Sequence, residues 1–117
     1  TSYGMNIIDD PHPWGNERWF TQNEPSTVKL LLIKANQELS LQYHNNRDEF
    51  CKILSGQPKM TIDDKVVEAH EGDEFFIARG TRHRISAGDS DASVLEISLG
   101  DFDEKDIVRI EDNYNRV

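Results

Sequence analysis

Cysteine is nearly missing from this chain: Cys51 stands alone among 117 residues, so no internal disulfide can form. Long apolar runs are missing as well. No stretch approaches the roughly 20 residues of a membrane span and none has the profile of a signal peptide, so no membrane is expected and the protein is read as soluble and cytoplasmic. Positive charge is scarce. Against 22 Asp and Glu there are only 13 Lys and Arg, a net charge of -9, which argues against nucleic acid, whose binding needs Lys and Arg clustered on one face. A small anion stays open as a partner, because it responds to the charges lining its own pocket and screening over roughly 8 Å blunts the distant acidic surface.

A convincing helical stripe is also absent, and short strand-like segments take its place. At this length the chain makes one domain, with room for a real core and none for a second domain. Thr1 to Gly4 read as an expression scar ahead of a native start at Met5, and residues 1–10 are taken as an N-terminal arm, with 11–117 as the domain. Asp9 to Gly15, with Pro11, Pro13 and Gly15, denies a helix and predicts an irregular arm. Val28 to Ile33 predicts a strand buried on both faces. Leu39–His44 and Glu49–Leu54 are expected to pair as a hairpin across a short polar link, and Lys59–Ile62 with Val66–Ala69 as a second hairpin around Asp63 and Asp64. Glu74–Ala78, His83–Ser86, Ser93–Leu99 and an edge strand at Ile107–Ile110 complete an all-β pattern, best fitted by a small antiparallel jelly roll with an inward face for one ligand.

Four metal-capable side chains lie on these segments. Gln42 and His44 are two apart, so a strand turns both to one face; Glu49 joins from the next strand and His83 from a distant one. The segment NQELSLQYHNNRDEFCKILSG, Asn36 to Gly56, resembles the first cupin motif, with Asn36 in its glycine position and Gln42 in its first histidine position. GDEFFIARGTRHRISA, Gly72 to Ala87, resembles the second, with Gly72, Gly80 and His83 at the expected intervals. Leu39-Ser40-Leu41-Gln42, Arg47 before Glu49, Pro13-Trp14-Gly15, Val28-Lys29 and the ending from Asp106 through Arg116 are similar to the type II mannose-6-phosphate isomerases. Asn45 and Asn46 stand where those proteins usually carry further histidines. In that family the domain is often the C-terminal part of a bifunctional protein with mannose-1-phosphate guanylyltransferase activity, for which this length leaves no room.

The resemblance implies a single-domain cupin with Gln42, His44, Glu49 and His83 as metal ligands, zinc or another divalent ion as cofactor, and a sugar phosphate as substrate. The expected reaction interconverts mannose 6-phosphate and fructose 6-phosphate through an enediol; the alternatives are a non-catalytic cupin that binds a sugar or small anion, and a metal-dependent oxygenase. Arg47 and Lys29 occupy the basic positions of the isomerase pattern and are candidates to contact substrate. Arg47 is excluded as a base, since guanidinium keeps its proton near neutrality, and Lys29 qualifies only if desolvated. Glu96, between Leu95 and Ile97, qualifies as acid or base if it points inward, and Arg82, Arg84 and Arg109 are alternative phosphate anchors. Cys51 reads as a small core residue. Unpaired edge strands predict a homodimer.

Overall fold

A computed structural model describes residues 6–117, so the scar reading at Thr1 to Gly4 and the start at Met5 lie outside the described residues. Eleven strands and no helix are described: β1 (Ile8–His12), β2 (Gly15–Trp19), β3 (Ser26–Ile33), β4 (Leu41–Tyr43), β5 (Arg47–Ser55), β6 (Lys59–Ile62), β7 (Lys65–Glu68), β8 (Glu74–Ile77), β9 (His83–Ser86), β10 (Ala92–Gly100) and β11 (Val108–Glu111). None of the described residues forms a helix that could cross a membrane. Two antiparallel sheets face each other, one ordered β3-β10-β5-β8 and the other β11-β4-β9-β6-β7, with β1-β2 as a separate hairpin. This is the all-β jelly roll expected from the sequence.

Alternation builds the interior. On the four-stranded sheet the inward residues form rungs across three strands, each rung set by register: Leu31, Val94 and Ile53; then Lys29, Glu96 and Cys51; then Thr27, Ser98 and Glu49. The first rung joins Met60 of β6, Ile85 of β9 and Ile77 of β8 in an apolar core. Ile53, Met60, Ile85 and Val94 have no more than 1% of their surface exposed, and burying each contributes about 1.5–3 kcal/mol. Cys51 is also sealed here, and burial pushes its thiol well above its ordinary value, as a core role requires.

Three sequence expectations change. The Asp9–Gly15 segment is not an irregular arm: Ile8 to His12 pairs with Gly15 to Trp19, so Pro11 sits in a two-stranded hairpin whose strands are both edges, where its missing N–H is tolerated. This hairpin crosses the expected boundary at residue 10. His12 lies 3.1 Å from Asp10 and 3.6 Å from Glu17 and stacks on Trp14, which fixes the hairpin's own face. Strand β3 is buried on one face only; it is a sheet edge, nothing among the described residues covers its outer side, and Val28, Leu30 and Leu32 are 55–73% exposed. Finally, β4 and β5 do not pair. They belong to opposite sheets, and the link between them, with Asn45 and Asn46 exposed, passes from one sheet to the other rather than closing a hairpin.

That difference positions the site. A crossing link lets His44 face Glu49 from the opposite wall, which a hairpin neighbour on the same sheet would not do. The second expected hairpin, β6-β7, forms as read, with Asp63 in the left-handed region at φ 54°. Asn36, in a glycine position of the first motif, also adopts that region at φ 64°, which asparagine tolerates.

Candidate metal centre

His44 follows β4, Glu49 lies on β5 and His83 opens β9, and all three are nearly sealed from solvent. Their ligand atoms come within 4.8 Å of one another. Glu49 Oε1 lies 3.4 Å from His44 Nε2 and 3.2 Å from His83 Nε2. Each imidazole is oriented from behind by a backbone carbonyl: His44 Nδ1–H donates to Asp106 O at 2.7 Å and His83 Nδ1–H to Thr81 O at 2.9 Å. With Nδ1 carrying the proton, each Nε2 turns its lone pair toward Glu49.

Glu49 is prepared in the same way. Its Oε2 accepts from Arg47 Nε and Ser98 Oγ, both at 3.3 Å, which leaves Oε1 for the centre. Burial alone would raise the Glu49 carboxyl, but the adjacent His44 and His83 imidazoles, which donate to it when protonated, outweigh that and hold the group well below the ordinary carboxylate range. Burial likewise would lower His83, and the contacts with Glu49 and the Thr81 carbonyl raise it. Glu49 Oε1 and His83 Nε2 are buried without a hydrogen-bond partner. Two lone-pair nitrogens converging on a carboxylate oxygen, with orphaned atoms at the focus, fit a divalent cation and explain that arrangement.

Gln42 is buried on β4, opposite His83 in register, and lines the same cavity. Its Oε1 accepts from Ser40 Oγ at 2.8 Å and retains a second lone pair. The cavity, about 380 Å³, is also lined by Lys29, Arg47, Glu96, Phe102, Glu104 and Arg109. A larger open groove beside Leu32 and Tyr114 contains no comparable cluster.

The sequence candidates for substrate contact all reach this cavity. Arg47 is buried; besides Glu49 it touches His44 Nε2 with Nη2 at 3.3 Å and donates from Nη1 to Asp103 O at 3.1 Å. Lys29 and Glu96 face each other across β3 and β10. Burial, reinforced by the Glu49 charge and opposed by Lys29 and His83, pushes the Glu96 carboxyl up to about 7, so it exchanges a proton near neutrality. Of the alternative anchors only Arg109 lines the cavity, where its Nε is buried and unpartnered. Arg84 is engaged by the Leu39 carbonyl, Glu38 and Glu111, and Arg82 lies exposed.

Sequence reading overlooked Asp106 and Phe102. The Asp106 carboxylate accepts from the backbone N–H groups of Asn45 and Asn46, at 2.8 and 3.0 Å, while its carbonyl holds His44. Slight burial raises this carboxyl and the two amides outweigh it, leaving it below its ordinary value. The side chains of Asn45 and Asn46 are exposed, so asparagine in place of histidine removes nothing from the centre. Phe102 packs its ring on Lys29 and Arg47. Both residues lie in a loop whose polar composition reads as a solvated face.

Comparison with known proteins gives the family and the fold. Residues 8–112 match the family model described as mannose-6-phosphate isomerase C-terminal. The chain is 31% identical over 107 residues to the mannose-1-phosphate guanylyltransferase ManC of Salmonella typhimurium, and 33% identical over 106 residues to the xanthan biosynthesis protein XanB of Xanthomonas campestris. These alignments cover 90% and 89% of the chain but 22% and 23% of the relatives, so it spans under a quarter of their length. Among solved structures, a cupin protein from Bacteroides fragilis superposes with a TM-score of 0.61 at 30% identity, covering 64% of this chain and 65% of that one. A putative sugar phosphate isomerase from Acidithiobacillus ferrooxidans, at 22% identity and a TM-score of 0.58 over 63% of this chain and 49% of that one, shares the fold. Matched over nearly its whole length, the chain belongs to the mannose-6-phosphate isomerase C-terminal family and has the cupin fold.

Proposed function

We propose that this chain, as a member of the mannose-6-phosphate isomerase C-terminal family, is a metal-dependent sugar-phosphate isomerase that interconverts mannose 6-phosphate and fructose 6-phosphate. The observation that carries the reading is the convergence of His44, Glu49 and His83, the first two lining a cavity shared with the cations Lys29, Arg47 and Arg109 and a carboxyl that titrates near 7, Glu96. His44, Glu49 and His83 would hold the metal, with Gln42 as the fourth ligand through its amide oxygen. Two imidazoles, a carboxylate and a neutral oxygen suit zinc, whose chemistry here is Lewis-acid polarisation without redox change.

The chain's own groups supply the rest. Lys29, Arg47 and Arg109 attract the phosphoryl dianion and hold the sugar in place. Glu96, as carboxylate, accepts the proton from C2 of the aldose and returns it to C1, while the hydrogen of the C2 hydroxyl passes to the C1 oxygen, so that atoms and charge balance over the cycle. A carboxyl poised near neutrality suits both halves of that transfer. Arg47, always protonated, stabilises the negative oxygen of the enediol stage.

A coupled assay for fructose 6-phosphate tests this with zinc-loaded protein and His44→Ala as control. Turnover that the control lacks is expected. Saturable mannose 6-phosphate binding with no turnover above background would overturn the isomerase reading in favour of a binding module.

A further inference from the structure

Phe102 lies two residues beyond the end of β10 and lines the cavity with its ring, whose centroid is 4.3 Å from Lys29 Nζ and 4.6 Å from Arg47 Cζ. The cations come from β3 and β5 on either side of β10, so a single aromatic face covers both. The loop that carries the ring is fastened to the same centre. Arg47 donates to Asp103 O at 3.1 Å, and His44 donates to Asp106 O at 2.7 Å. Phe102 is thus held over the two basic groups by contacts from residues that face the centre.

An aromatic face attracts a cation through its quadrupole but carries no net charge, so it occupies a cation without neutralising it. A phosphoryl dianion gains more from the same pair, through charge-assisted hydrogen bonds. We propose that Phe102 is a specificity-determining residue whose ring competes with the phosphoryl group of the substrate for Lys29 and Arg47, and so sets the affinity of the cavity for phosphate. This inference rests on the reading that the cavity takes a phosphorylated sugar. It adds that the loop after β10 holds an aromatic placeholder that the phosphate displaces.

Titration calorimetry with inorganic phosphate and with mannose 6-phosphate, on protein with and without one equivalent of Zn²⁺, tests it. Phe102→Leu keeps most of the apolar volume and removes the π face, and Phe102→Ala removes both. Each should tighten both ligands by about five- to tenfold, the scale of losing two cation–π contacts. Lys29→Gln in the Phe102→Leu background should return the affinity to the wild-type value or below. Phosphate bound equally or more weakly by Phe102→Leu overturns the inference, and so does tightening confined to mannose 6-phosphate, which would place the ring against the sugar. No phosphate binding by any of these proteins defeats the underlying anion-site reading as well. Wild-type binding without tightening in the variants defeats the Phe102 inference alone.

Discussion

The two ends of the barrel interior are lined by the same strands and do opposite things. Toward one end, Ile53 of β5, Val94 of β10, Met60 and Ile85 meet with no polar atom to satisfy. Two rungs along those strands, Glu49 replaces Ile53 and Ser98 replaces Val94, facing His44 and His83. Cys51 and Glu96 lie on the rung between. The apolar end needs only to exclude water and fill space, which stabilises the fold. At the polar end the same burial is a cost, offset by a near-complete set of hydrogen bonds and, on our reading, by a cation. One end holds the sheets together so that the other can keep three ligand atoms converged.

Breaking each end separately should give opposite signatures. The largest effect is expected from Glu49→Ala, which removes the only carboxylate of the converging trio; zinc affinity, measured by competition with a chromogenic chelator, should fall by at least about a thousandfold. Retained stoichiometric zinc in that variant would remove Glu49 from the ligand set. At the apolar end Ile53→Ala should cost about 2–5 kcal/mol in denaturant unfolding while the folded fraction keeps its zinc affinity. Equal losses of metal and stability from both substitutions would mean that the two ends are not separable.

Much of this contrast was legible in the sequence, because it rests on period-2 alternation. His83–Ser86 and the β6-β7 hairpin follow from local pattern and turn residues, and the grouping of His44, Glu49 and His83 from spacing plus family resemblance, whereas the inward direction of Glu96 is fixed only by its register against Lys29 and Cys51. What was illegible depends on long-range pairing. The link 45–48 reads as a hairpin turn because short polar links usually are, yet β4 pairs with β9 and β11, and β5 with β10 and β8. The apolar run of β3 gives no sign that the strand is an edge with an open outer face. Asp106 lies 62 residues from His44, and Phe102 lies 73 from Lys29 and 55 from Arg47, in a stretch whose polarity suits a solvated loop.

Asp106 offers an intermediate break, since it touches the polar end only through His44. Asp106→Ala leaves the backbone carbonyl in place but frees the amides of Asn45 and Asn46, so the carbonyl that orients His44 loses its anchor. Zinc affinity should fall by about 10- to 100-fold, the usual cost of disturbing a group that orients a ligand. Asp106→Asn, which keeps one acceptor oxygen, should recover part of it. A cobalt-substituted spectrum identical to wild type in Asp106→Ala would show that the loop does not position His44.

The smallest and most specific break is in pH dependence, because Glu96 stands where the apolar end gives way to the polar one. Its folded carboxyl titrates at about 7 against an ordinary 4.5, chiefly because it is buried. A group raised on folding binds its proton more tightly in the folded state, so its contribution to stability is fully present below about 4.5 and is lost as pH rises to about 7. Metal-free protein should therefore lose stability across that window, by on the order of 1 kcal/mol, as charge develops beside Glu49. Glu96→Gln carries no titrating proton and should flatten the Tm profile over the same range. Zinc should flatten it too, since a cation at the centre favours the Glu96 carboxylate and lowers its titration. If metal-free wild type and Glu96→Gln show parallel Tm profiles between pH 4.5 and 7, then Glu96 is solvated rather than buried against Glu49, and the boundary between the two ends lies one rung closer to the metal.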